Sequence, residues 1–197
     1  MISNKNHSML KMACRIAMLA LLFSGFGCFG PPMVRYHAEK RLHEEDVNEE
    51  LIRKISRSED IGRENFLIYS QHKDENVRSM IAFNQYIPSD ILLRLAGDHS
   101  DLVIQCVIQN PTLSEEILAE LLKNPAALKR LASSPQVPQE IIMKVYKQHK
   151  EVPLYEFAMN PRCPDVIKAD IRKSDDFEAK RVLELHERND KKQSGRN

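Results

Sequence analysis

Between residues 75 and 173 the apolar positions fall into short runs at three- and four-residue spacing, separated by polar, proline-containing turns. That spacing predicts short amphipathic helices rather than strands. The pattern also recurs. Asn84, Asn110, Ser134 and Asn160 stand 26, 24 and 26 residues apart, and the same residue types surround each of these markers. Three positions before them stand Ile81, Val107, Leu131 and Phe157, and two before, Ala82, Ile108, Ala132 and Ala158. Seven after come Ile91, Ile117, Ile141 and Ile167, and eleven after, Leu95, Leu121, Val145 and Ile171. A fixed period of this length is the signature of a stacked repeat architecture.

Each unit reads as a helix, a turn at the marker, a second helix and a return loop. Asn suits the left-handed conformation that ends a helix, and the residue after it is Pro in three units of four. Pro88, Pro138 and Pro164 stand where the second helix starts and an N–H is dispensable. Asp90, Glu115, Glu116, Glu140 and Asp165 then complement the positive end of that helix. No unit can cover its own apolar stripe, so neighbours must stack. The expected fold is all-α, a solenoid of about four to five two-helix repeats with terminal caps.

The Asn-Pro-x-x-Pro style of turn, with Val77 to Ala96 and Val103 to Ala119 around it, resembles the leucine-rich repeat variant family, a relative of the HEAT-like helical repeats. The resemblance covers about residues 51–172. It implies short 3₁₀-type and α-helices alternating in a right-handed superhelix, with no shared catalytic residues. Some members carry an iron–sulfur cluster on cysteines preceding the repeats. This chain lacks that cysteine cluster, so no cofactor is expected.

Leu51, Ile52, Ile55 and Ile61 fit a degenerate first unit with Ser58 at its marker and Gly62 in place of the proline. At the other end, Asp175 and Asp176 open a final helix. Phe177, Val182 and Leu185 are expected inward, and Glu178, Lys180, Arg181, Glu184 and Arg188 outward. The repeat domain with its caps is thus expected over 51–188, followed by a frayed polar tail over 189–197. Residues 28–50 are dense in charge, with Leu42 and Val47 as the few apolar positions, and read as a solvated helix or tether.

Residues 1–27 have a different character. Lys5, Lys11 and Arg15 precede an apolar run over 16–27, and no acidic residue occurs before Glu39. This is the pattern of a signal peptide, and the run is shorter than the roughly 20 residues that span a bilayer. Gly25-Phe26-Gly27 before Cys28 resembles the processing site of a bacterial lipoprotein, which implies lipid attachment at Cys28. Gly25 and Phe26 depart from that pattern, and an ordinary cleaved signal or short anchor, or a cytosolic start, remain as alternatives.

Removing Lys5, Lys11 and Arg15 from the 29 basic residues leaves 26 against 28 acidic ones, a formal charge of −2. A nucleic-acid binder wants a basic face, so none is expected. Cys106 falls in a column with Met80, Arg130 and Glu156 and is expected exposed, while Cys163 shares a column with Ile87, Leu113 and Val137 and is expected buried. Stacking separates them too far for a disulfide. His99 and His149 lie in return loops two units apart, and His37 and His43 are off the helical i, i+4 spacing, so no metal site is expected.

Five residues before each marker, Ser79, Gln105, Lys129 and Tyr155 vary in chemistry at an outward position and form the candidate partner-binding row. The expected function is a non-enzymatic protein-interaction scaffold, exported and held at the cell envelope. A HEAT-like DNA-repair glycosylase and a cytosolic repeat module are the alternatives. The near-neutral charge and the absence of Trp speak against the glycosylase. Leu118 sits on the apolar stripe of its helix, so Leu118→Ala is expected to destabilise the fold by about 2–5 kcal/mol in denaturant unfolding. Unchanged unfolding would remove Leu118 from the core.

Overall fold

The computed structural model describes residues 32–194, and the side chains of residues 34–189. Among these residues the fold is all-α, with twelve helices and no strand. They are α1 (Pro32–Glu44), α2 (Glu49–Ser56), α3 (Arg63–Tyr69), α4 (Glu75–Phe83), α5 (Ser89–Leu95) and α6 (Asp101–Gln109), followed by α7 (Glu115–Leu121), α8 (Pro125–Ser133), α9 (Gln139–Gln148), α10 (Leu154–Ala158), α11 (Asp165–Lys173) and α12 (Phe177–Ser194). Four units follow in order, α4–α5, α6–α7, α8–α9 and α10–α11, each a leading and a trailing helix. The leading helices pack side by side, α4 on α6, α6 on α8 and α8 on α10. The α2–α3 pair is the degenerate unit.

Every leading helix is α, not the 3₁₀ that the family resemblance implies. Three of them run to nine residues, longer than 3₁₀ geometry comfortably sustains. The repeat columns form the core. Ile81, Val107, Leu131 and Phe157 are buried, as are Leu95, Leu121, Val145 and Ile171.

Ser58, the marker of the degenerate unit, takes the left-handed conformation at φ 53°, but Asn84, Asn110, Ser134 and Asn160 do not. Asn84 and Asn110 are extended, at φ −68° and −67°. Their side chains do the work instead. Each Asn Oδ1 accepts the N–H two residues on, from Tyr86, Thr112 and Arg162 at 2.9, 2.8 and 2.9 Å. This closes an Asx turn. Each amide then reaches back into the preceding unit. Asn110 Nδ2 donates to the carbonyls of Ala82 and Asn84 at 2.7 and 3.0 Å. Asn160 Nδ2 donates to Ala132 and Ser134 at 3.0 and 2.9 Å. Asn84, next to the degenerate unit, finds Glu59 O at 2.8 Å. All three asparagines are buried.

A second set of such bonds runs along the opposite edge, in the return loops. Asn124 Nδ2 donates to Ala96 O and Asp98 O, both at 2.9 Å. The offsets are the same 28 and 26 residues that Asn110 and Asn160 span. Ser134 breaks the marker series, because its short side chain only accepts Gln136 N–H, at 3.4 Å.

The ends depart from expectation. The segment 28–50 is no free tether where it is described. Ala38 and Leu42 of α1 are fully buried, and the helix packs antiparallel on α4, in the place of a leading helix. Arg41 bonds Asp74 at the start of α4, while Val34 and Arg35 meet Met80 and Phe83 near its end. The stripe Val34, Ala38, Leu42 is narrow, which is why the surrounding charges masked it. In the degenerate unit Gly62 holds φ 77°, a conformation glycine adopts without steric cost.

At the C-terminus α12 packs on α10 and runs to Ser194, through most of the segment expected to fray. Its buried positions are Ala179 and Leu183, whereas Phe177 and Leu185 are exposed. The helix starts after the Asp176 cap, whose Oδ1 accepts Ala179 N–H at 2.9 Å, and this phase turns Phe177 outward.

Asn110→Ala is expected to lower stability by about 1–3 kcal/mol, since the carbonyls it serves lose a donor. Ser134→Asn is expected to raise it by about 0.5–1.5 kcal/mol by supplying the missing amide. Urea unfolding of both variants measures the pair, and a neutral Asn110→Ala would refute the bridging role.

Candidate functional site

The expected partner-binding row divides. Ser79 is fully buried, its hydroxyl donating to Asn76 O at 2.8 Å. It lines a small cleft with Val34, Arg35, Met80, Phe83 and Cys106, so α1 removes this position from the surface. Gln105 and Tyr155 are half-buried and Lys129 is exposed. These three stand at one offset on α6, α8 and α10, which pack in succession. Cys28, the expected lipid-attachment residue, and the signal-like segment 1–27 lie outside the described residues.

Cys106, expected exposed, is buried under the same cover. Burial pushes its thiol up to about 12, and a hydrogen bond with Ser79 offsets this only in part. Cys163 is buried as its column predicts, and burial pushes its thiol up to about 11. Both are free thiols, and their protonated state at neutral pH makes them poor nucleophiles.

The most developed polar cluster lies on the return-loop edge between the first two units. Arg78 stands alone in a column otherwise held by Ile104, Leu128 and Leu154. Its Nε and Nη2 donate to the Asp98 carboxylate at 2.7 and 3.0 Å, with both side chains less than a tenth exposed. Its Nη1 donates to His72 O and Lys73 O at 2.9 and 3.1 Å. Asp98 holds the position that Asn124 holds one unit later. A carboxylate has no N–H to send back to the preceding loop, and the Arg78 guanidinium supplies one.

Burial alone would raise the Asp98 carboxyl. Hydrogen bonds from Arg78 and from Ser100 N–H outweigh it and hold the group below the usual carboxylate range. Asp74, one unit earlier, follows the same logic. Burial opposes its charge, and bonds from Asn76 and Arg41 overcome that and hold it low. Nearby, His72 Nε2 meets Glu45 at 2.7 Å while its Nδ1 accepts Asp74 N–H at 3.0 Å, which ties the end of α1 to the loop before α4. On the trailing side, Tyr146 OH donates to Asp170 at 2.6 Å, and that bond together with burial pushes the phenol up to about 12.

His99 is almost fully exposed and His149 pairs with Glu151 at 3.2 Å. Among the described residues no group of three His, Cys, Asp or Glu side chains is arranged to hold a metal ion. No helix among them is long and apolar enough to cross a membrane. Comparison with known proteins finds no matching family model, no matching curated protein and no matching solved structure.

The Asp98 geometry fixes the sign of an acid effect. Its folded pKa lies below the unfolded value, so its contribution is whole above about pH 4 and is lost as pH falls through the lower folded value. Arg78→Ala alone leaves Asp98 buried without its partner and is expected to cost about 3–5 kcal/mol. Arg78→Met with Asp98→Asn removes both charges, and its stability should fall less steeply than the parent's below about pH 4. Parallel slopes in denaturant unfolding across the acid range would deny Asp98 this part.

Proposed function

We propose that the chain is a non-enzymatic protein-interaction scaffold, a HEAT-like solenoid of the leucine-rich repeat variant kind, held at the bacterial cell envelope by lipid on Cys28. The observation that carries the reading is the succession of α6, α8 and α10, which brings Gln105, Lys129 and Tyr155 to equivalent places on neighbouring helices. Stacked repeats use such extended surfaces for binding. A second support is the use of the buried polar side chains. Asn84, Asn110, Asn160 and Arg78 each bond into a neighbouring unit or its loops, which makes them structural groups. The envelope part of the reading rests on the basic residues and apolar run that precede Cys28.

The test is capture of partners by cross-linking in envelope fractions. Gln105→Ala with Lys129→Glu is expected to abolish the cross-linked species, while Arg94→Glu with Lys144→Glu on the trailing helices retains them. Equal capture by both variants would sink the row as a binding surface. Palmitate labelling is expected for the parent and lost in Cys28→Ser.

A further inference from the structure

The packing of α1 constrains how an anchored chain meets its membrane. Three residues, 29–31, separate Cys28 from Pro32, the first residue of α1. Four Cα steps reach at most about 14 Å even when fully extended. The helix that follows is no spacer. Ala38 and Leu42 bury against the repeat array, and the far end of α1 is fastened by Arg41 to Asp74 and by Glu45 to His72. Because α1 runs antiparallel to α4, its first turn lies at the edge that carries the Asn turns, beside Phe83 and Met80. Tyr36, in the second turn of α1, is 59% exposed, and Tyr86, in the turn after Asn84, is 54% exposed. Tyrosine, like tryptophan, is enriched where membrane proteins meet the lipid headgroups.

We propose that the Asn-turn edge at the N-terminal end of the array lies against the lipid headgroups of the membrane that holds the Cys28 acyl chains. The return-loop edge then faces away. The inference rests on lipid attachment at Cys28, as proposed above, and adds the orientation. The array is held against the bilayer surface, with no free arm between them.

The test uses the full chain in its native membranes. Gln85 on the Asn-turn edge and His99 on the return-loop edge are both exposed, and the native Cys106 and Cys163 are buried. Gln85→Cys and His99→Cys are labelled with a fluorophore, and lipids carrying a short-range quencher are added. The two edges lie about one leading helix apart, ~14 Å for nine residues. Quenching at position 85 is expected to exceed that at position 99 at least twofold. A Gly/Ser insertion of about twelve residues between Gly30 and Pro31, which reaches ~20 Å as a flexible coil, is expected to erase the difference.

Palmitate labelling on the same samples separates the two ideas. Acylated protein with equal quenching at both positions, or with a difference that survives the insertion, overturns the orientation alone. Unacylated protein overturns the orientation together with the anchor.

Discussion

Apolar stacking gives the array its cohesion but has little direction, and helices packed through aliphatic side chains can slide with modest loss. The asparagine amides remove that freedom. Asn110, Asn124 and Asn160 each close their own turn through Oδ1 and reach carbonyls 26 and 28 residues back through Nδ2. A shift of one unit against the next would leave a buried amide and two carbonyls without partners. That costs far more than the bonds gain, since unmet buried polar groups lose their full hydration. The register of the stack is therefore set by side chains that the apolar pattern does not contain.

The Arg78–Asp98 pair shows that the constraint belongs to the acceptors rather than to asparagine as such. Where the loop residue is an acid, an arginine from the adjoining helix supplies the donor. At Asp74 an arginine of α1, Arg41, pairs with the carboxylate itself. Helix α1 is thereby tied to the repeats by charge as well as by its narrow apolar stripe. Its docking accompanies the burial of Ser79 and Cys106, two residues whose counterparts in the other units are half-buried or, at Lys129, exposed.

The apolar columns, the four units and the two-helix plan were legible in the sequence, because burial in a repeat imposes the same residue types at the same offsets. The role of the markers was less so. Asparagine favours both the left-handed position and the Asx turn, and the sequence alone does not separate them. Arg78 was hidden by standing alone in an aliphatic column. Residues 32–44 carried too few apolar positions to show a buried face among so many charges. In α12 the large Phe177 drew the expected phase, while the small Ala179 and Leu183 make the contact. Of the candidate row, Ser79 alone is fully buried, because α1 covers α4; Lys129 is exposed and Gln105 and Tyr155 are half-buried, with α12 packed on α10.

The joints between units are not braced alike. The first and second units are tied at both edges, by Asn110 on one and by Arg78 on the other. The second and third have an amide only in the return loop, from Asn124, and the third and fourth only at the turn, from Asn160. The amide bridge therefore changes edge from one joint to the next. The second joint thus has no amide to resist opening at its turn and the third none at its return loop, though at the third Tyr146 on the trailing side supplies a separate tie to Asp170.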